Sequence, residues 1–160
     1  MSETLILDVC CGSRMFWHDK EDPRVLFVDK FPRHATLCDG RQFGVAPQVV
    51  ADFTNMPFSD NSFHMVVFDP PHLIRAGENS YMAIKYGRLE GEWQDMISRG
   101  FAECFRVLKP LSTLIFKWCE YQIPLKDVLA LTPQKPLVCN KNPKGAGTHW
   151  IVFVKEVQHD

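Results

Sequence analysis

The sequence contains no apolar run close to the roughly 20 residues needed to cross a bilayer, which excludes a membrane-spanning helix. Its first residues, Met-Ser-Glu-Thr, carry no basic stretch, and the apolar run after them is broken by Asp8. No secretory signal is therefore expected, and the expected location is the cytoplasm, with no membrane partner. Neither sign of charge dominates. The formal net charge is −1 over 160 residues, without the global basic surplus common in chains that coat a phosphate backbone. A local surplus at Lys135, Lys141, Lys144 and Lys155, with no acid between Pro133 and Lys155, reads as a solvated turn.

Metal and phosphate signatures are missing as well. The six cysteines (Cys10, Cys11, Cys38, Cys104, Cys119 and Cys139) form no C-x-x-C pair, and none has a histidine at zinc-ligand spacing, so no metal site is expected. Cys10, Cys104 and Cys119 lie in apolar segments and read as buried, reduced thiols. Gly12 is followed by Ser13-Arg14-Met15, which is not the G-x-G-x-x-G of a dinucleotide fold, and no G-K-S or G-K-T is present. A pyrophosphate-cradling loop is thereby disfavoured.

The composition is 46% apolar and 23% charged, as in an ordinary globular protein, and the length suits a single domain over residues 1–160. Seven short apolar runs bounded by turn residues read as strands. They are Leu5-Ile6-Leu7-Asp8-Val9, Val25-Leu26-Phe27-Val28-Asp29, Gln48-Val49-Val50-Ala51-Asp52, residues 63–69, residues 113–118, Leu137-Val138-Cys139 and residues 149–155. Such continuous runs predict a sheet buried on both faces. Trp93, Met96, Ile97, Phe101, Phe105 and Leu108 recur at helical spacing and predict a helix over 92–108, ended by Lys109-Pro110. A second helix is predicted over 124–131, opened by Pro124. Between the first two strands there is room for two or three helical turns, and between the second and third for little helix. This alternation predicts an α/β, doubly wound and mostly parallel sheet. Residues 140–148 read as a long hairpin turn, making the last two strands antiparallel.

Asp29, Asp52 and Asp69 each close a strand, and Asp8 lies just inside the end of another. In an open parallel sheet, ligands bind at the carboxyl ends of the strands. One acid there can be a helix cap. Four at one edge would repel one another unless a ligand or hydrogen-bond donors filled the crevice. Gly12, at the turn after the first strand, permits close approach of the backbone to such a ligand.

In this order, these residues resemble the class I S-adenosylmethionine-dependent methyltransferases, which implies a Rossmann-like fold and S-adenosyl-L-methionine as cofactor. Leu7-Asp8-Val9-Cys10-Cys11-Gly12-Ser13 is similar to the family's first motif, with Arg14 where a second glycine is usual. The resemblance implies that the backbone around Cys10 and Gly12 cradles the methionine part of the cofactor and that Asp8 lies near its amino group. It also implies that Asp29 accepts from both ribose hydroxyls, that Asp52 accepts from the adenine amine, and that Phe53 packs on the adenine ring. Asp69-Pro70-Pro71-His72 is similar to the motif of amino-methyltransferases, in which Asp, Asn or Ser precedes Pro-Pro and an aromatic residue. Those enzymes act on adenine N6, cytosine N4 or an amide nitrogen. The expected catalytic set is thus Asp69, Pro70, Pro71 and His72, with histidine in place of Tyr, Phe or Trp.

Residues 73–91 have no strong period and interleave Arg75, Lys85 and Arg88 with Tyr81 and Tyr86. That mixture suits a nucleic-acid strand or a flipped base, which is favoured over a lid across a small substrate. Duplex-DNA methyltransferases of this type usually add a separate target-recognition region, for which this chain has no room. A single-stranded or RNA substrate, a partner subunit, or recognition through residues 73–91 and the 140–148 hairpin is therefore expected. The alternatives are methylation of a small-molecule or protein nitrogen, and a cofactor-binding protein without turnover. Lys117-Trp118 lies near the same edge; Trp118 either lines the pocket or belongs to the core.

Overall fold

The β-branched and aromatic runs form strands, and the structure, a computed structural model, describes residues 3–77, 80–140 and 147–157. In chain order the elements are β1 (Ile6–Asp8), β2 (Val25–Asp29), β3 (Arg33–Thr36), β4 (Gln42–Val45), β5 (Val49–Val50), β6 (Phe63–Phe68), α1 (Tyr81–Tyr86), α2 (Trp93–Val107), β7 (Leu108–Cys119), α3 (Leu125–Leu129), β8 (Val138–Asn140) and β9 (Thr148–Val154). Seven strands form one sheet in the order β5-β2-β1-β6-β7-β9-β8. β5, β2, β1, β6 and β7 run parallel, while β9 is antiparallel to both β7 and β8. This is the α/β, Rossmann-like arrangement expected from the sequence, with its antiparallel C-terminal strand. The antiparallel pairing of β8 with β9 is as expected, although residues 141–146 of the intervening turn lie outside the described residues.

Burial differs across the sheet. Leu7 and Asp8 of β1, and Val66, Val67 and Phe68 of β6, are all buried, so the centre of the sheet is covered on both faces. Towards the other edge the pattern alternates. Leu114, Phe116 and Trp118 of β7 are buried, whereas Thr113, Ile115, Lys117 and Cys119 are half-buried. β9 alternates in the same way, with Ile151 and Phe153 buried. The expectation of burial on both faces therefore fails at β7 and β9. α2 and α3 both pack into the large cluster with Leu114, Phe116, Phe153 and Val128. Among the described residues, the opposite face has a small cluster of Cys11, Val25 and Phe27, with Ile6 and Trp17 against it. The stretch between β1 and β2, which had room for two or three helical turns, forms turns and no helix.

Two further elements had no clear periodic signal. β3 and β4 form a separate two-stranded antiparallel hairpin, and α1 arises inside segment 73–91, capped by Ser80 Oγ accepting from the Ala83 N–H at 3.1 Å. Leu37, Phe43 and Val45 of the hairpin region pack against Tyr81 and Ile84 of α1. Neither element has a core of its own, so each depends on the other for burial.

α2 is the main brace of the deep face. Ile97, Gly100, Phe101, Cys104, Phe105 and Val107 are buried along one stripe. Pro110 cannot supply a helical N–H, and β7 begins at Leu108 without a connecting loop. Arg106 holds the chain before β6 by donating to the carbonyls of Phe58 at 2.7 Å and Met56 at 3.1 Å. Of the local lysine surplus, Lys141 and Lys144 lie outside the described residues. Lys155 donates to the Leu108 carbonyl at 2.6 Å, at the start of β7 and away from the strand ends.

Gly100 is required by packing. A Cβ built there would lie 2.6 Å from Phe68 and 2.7 Å from Phe53. Overpacking of this kind costs about 1–3 kcal/mol, and about 1 kcal/mol of that is recovered because alanine favours the helix over glycine. Gly100→Ala is expected to lower the unfolding free energy by up to about 2 kcal/mol in urea titrations; stability above wild type would show that the two rings move aside freely.

Candidate functional site

Parallel pairing places β1 between β2 and β6, with Asp8 opposite both Phe27 and Val67. The three strands end at one edge, so Asp8, Asp29 and Asp69 converge there. Asp8 is only 2% exposed. It accepts from the Cys10 N–H at 3.2 Å and from Trp17 Nε1 at 2.7 Å. Burial pushes its acid up to about 7, against the pull of those two donors and with the help of the Asp69 and Asp29 charges.

Asp29 ties the first loop to the second strand. Its Oδ2 accepts from the Gly12 N–H at 3.0 Å and its Oδ1 from the Phe31 N–H at 3.0 Å. Gly12 has φ 50 and open space where a Cβ would stand, so the loop backbone is bare on its cleft side. Arg14 also has a positive φ, 58. Such a conformation costs a side chain about 1–2 kcal/mol. The guanidinium offsets this by donating to the carbonyls of Lys20 at 2.6 Å and Ala46 at 2.8 Å, and it lies 4.0 Å from the centroid of the Phe27 ring. The loop keeps the backbone turn that glycine usually provides, and Arg14 anchors it from outside the cleft.

Asp52 Oδ1 accepts from the Thr54 N–H at 2.9 Å and hydroxyl at 2.7 Å, and its Oδ2 pairs with Lys30 at 2.8 Å. Partial burial opposes its charge, but Lys30 and Thr54 outweigh it and hold the acid below the usual carboxylate range. Phe53 is 8% exposed and meets Phe68 edge-on at 5.2 Å, so it is part of the core as well as of the cleft wall.

Asp69 follows β6 directly, and Lys117 Nζ lies 3.1 Å from its Oδ2. Burial raises the Asp69 acid, and the Lys117 charge opposes the rise. The His72 ring lies 6.0 Å from Tyr86 and 6.3 Å edge-on from Trp118. Burial, reinforced by the Lys117 charge, holds His72 below its usual value, so the ring is neutral at pH 7. The chain beyond the motif is fastened by Gln122, whose Oε1 accepts from the Ile74 N–H at 2.7 Å and the Arg75 N–H at 2.9 Å.

A single cleft of about 1010 Å³ is lined by all ten residues singled out from the sequence: Asp8, Cys10, Gly12, Asp29, Asp52, Phe53, Asp69, Pro70, Pro71 and His72. Lys85, Tyr86 and Arg88 of segment 73–91 also line it. Tyr81 instead faces the hairpin, where Arg41 Nη2 donates to its hydroxyl at 3.2 Å. Arg33 Nε donates to the Ile84 carbonyl at 3.2 Å, so α1 and the hairpin are bonded into one roof beside the cleft. Trp118 belongs to the core, at 1% exposure, with Nε1 donating to the Ile123 carbonyl at 3.0 Å. Phe16 and Trp150 line the cleft in positions that motif reading did not reach, and Lys117, expected near the same edge, lines it too. The available signal was Lys117, the one charged residue within the predicted strand 113–118. Burial pushes the Cys10 and Cys104 thiols up, so both stay protonated. Among the described residues no group of His, Cys, Asp and Glu side chains could hold a metal ion, and no described helix is long and apolar enough to cross a membrane.

The chain matches no protein-family model and no curated protein sequence. Its fold is similar to solved structures. A TehB-like S-adenosylmethionine-dependent methyltransferase from Corynebacterium glutamicum superposes with a TM-score of 0.61 at 19% identity, over 96% of this chain and 80% of that one. The N-methyltransferase NodS from Bradyrhizobium japonicum gives 0.59 at 14% identity, over 96% and 86%. The [4+2]-cyclase SpnF gives 0.56 at 11% identity, over 97% and 75%. The chain therefore has the Rossmann-like methyltransferase fold. The cyclase shows that this fold also carries other reactions, so the chemistry has to be argued from the site.

The environment of Asp8 makes one property directly measurable. Carbon-13 NMR of the Asp8 carboxyl is expected to titrate with a midpoint of about 7. A midpoint near the usual carboxylate value would mean that water reaches the group.

Proposed function

We propose that this protein is an S-adenosylmethionine-dependent methyltransferase acting on a nitrogen whose lone pair is delocalised, foremost the exocyclic amine of adenine, and next of cytosine, in DNA or RNA. The observation that carries this reading is that the Asp69-Pro70-Pro71-His72 turn opens into the same cleft as Asp8, Gly12 and Asp29.

The residues present suit the cofactor. Gly12 leaves the loop backbone open to the methionine moiety beside Cys10, and Asp8 would lie near its amino group. Asp29 would take the ribose hydroxyls, and Asp52 with Phe53 the adenine. Bound S-adenosylmethionine supplies a methyl group activated by its positively charged sulfur. The protein's part is then mainly positioning. The Asp69 carboxylate and the Pro70 carbonyl accept from the two N–H groups of the substrate amine, which turns its lone pair towards the methyl. They also stabilise the positive charge that develops on nitrogen. Two consecutive prolines fix φ and stiffen the turn that presents these acceptors. Neutral His72, with Tyr86 beside it, offers a ring on which a flat substrate stacks.

Lys85, Arg88 and Tyr86 at the cleft margin support a nucleic-acid strand as the carrier of that amine. The roof built from α1 and the β3–β4 hairpin supports a second reading, a nitrogen on a small molecule or a protein, because such a roof limits access by a duplex. A partner subunit for target recognition fits the first reading.

The decisive assay offers radiolabelled S-adenosylmethionine with duplex DNA, single-stranded DNA, RNA, and a mixture of nucleosides and small amines. Label recovered as N6-methyladenine or N4-methylcytosine is the expected result; label only in small amines selects the second reading. Asp69→Ala is expected to retain cofactor binding while methyl transfer falls ~10²-fold or more; unchanged activity would remove Asp69 from catalysis. Asp29→Ala is expected to weaken S-adenosylhomocysteine binding by about 10–100-fold in calorimetry, as charged hydrogen bonds are lost. Unchanged affinity would place the ribose elsewhere.

A further inference from the structure

We propose that Lys117 decides which nitrogen the site accepts: by pairing with Asp69 beside an aromatic pocket, it admits a neutral planar amine and turns away a protonated alkylamine. The proposal rests on the reading of Asp69 as the acceptor for the substrate nitrogen.

β7 and β9 are half-exposed on one face, and no described helix packs into the small cluster on that side of the sheet. Lys117 and Trp150 are cross-strand partners there. Lys117 Nζ lies 5.5 Å from the centroid of the Trp150 ring and 3.1 Å from Asp69 Oδ2. Phe16 covers Trp150 at 4.4 Å between centroids. The ammonium is thus fixed between a carboxylate and an aromatic face, at 28% side-chain exposure, rather than extended into solvent.

The electrostatic consequence is specific. Asp69 alone would be an anionic trap for any alkylammonium. Paired with Lys117 it carries no net charge, yet among the described residues no donor is bonded to its Oδ1, which is left for an incoming N–H. A nitrogen bonded to Oδ1 comes close to the Lys117 charge. A neutral aryl amine or amide tolerates that neighbour, whereas an ammonium is repelled by it at a separation where screening is weak. The acids nearby, Asp8 of β1 and Asp29 of β2, are the same with and without the Lys117 charge, and the thiol of Cys10 and the ring of His72 are uncharged at pH 7, so a change of preference on removing Lys117 reads the charge of Lys117 itself. The aromatic pair Phe16–Trp150 and the ring of His72 supply the flat contacts that an aryl amine uses and a flexible alkylamine does not.

The test uses the full chain loaded with S-adenosylhomocysteine at pH 7, with adenosine as the neutral probe and benzylamine, protonated at that pH, as the cationic one. Affinities are read by ligand-observed NMR. Wild type is expected to favour adenosine by at least about 10-fold, as one like-charge contact of this kind is worth. Lys117→Met is expected to reduce that ratio by about 10-fold, through gain of benzylamine binding, and Lys117→Arg, which keeps the charge, to preserve it to within about 3-fold. An unchanged ratio in Lys117→Met, or equal binding of the two probes to wild type, overturns the proposal, and so does absence of adenosine binding to the loaded protein. Should the methionine variant not fold, Lys117→Gln, which also removes the charge, is expected to show the same reduction, and an unchanged ratio there overturns the proposal. Failure of wild type to bind S-adenosylhomocysteine at all would instead overturn the methyltransferase reading on which this one rests.

Discussion

Parallel hydrogen bonding of β1 between β2 and β6 brings the ends of three strands to one edge, and each of those ends carries a carboxylate. Three unpaired charges there would repel one another across a poorly hydrated crevice. The structure relieves this in three ways. Asp8 is buried under Trp17, and its acid rises to about 7, so its charge is partly suppressed at neutral pH. Asp29 spends both oxygens on backbone N–H groups of Gly12 and Phe31, which also shapes the first loop. Asp69 is matched by a cation from the neighbouring strand. The loop, the cleft and the ion pair all follow from the same convergence.

The thinness of one side of the sheet has a functional consequence. α2 and α3 fill the deep face with aromatic and aliphatic side chains, and Gly100 lets α2 approach closely enough for Phe53 and Phe68 to lie beneath it. On the other face, among the described residues, turns and Trp17 cover the start of the sheet. The half-exposed positions of β7 and β9 are therefore free to carry Lys117 and Trp150 into the cleft. α1 and the β3–β4 hairpin stand beside the cleft and pack against each other, which places Lys85, Tyr86 and Arg88 at its margin.

Much of this was legible because the governing signals are local. Strands at the sheet centre are continuous apolar runs, since both of their faces are covered, and their ends are marked by acids and turn residues. The apolar stripe of α2 and the stop at Pro110 are likewise written within single segments. Arg14 could be read only as a departure from a glycine pattern. That it adopts the same left-handed backbone, held by the carbonyls of Lys20 and Ala46 and by the Phe27 ring, depends on residues distant in sequence. The hairpin and α1 were missed because each is short and amphipathic only with respect to the other.

By itself the sequence determined the order and type of the main elements, the parallel sheet, and the ten residues that meet in the cleft, because strand ends and turn chemistry are encoded by near neighbours. Only the tertiary structure decided what each of those groups faces. Lys117 reaches Asp69 because β7 lies beside β6 in a particular register, and Trp150 reaches Lys117 because β9 returns antiparallel beside it. Charge compensation and ring contacts depend on distances of a few ångströms between segments far apart in the chain, and no periodicity within one segment records them.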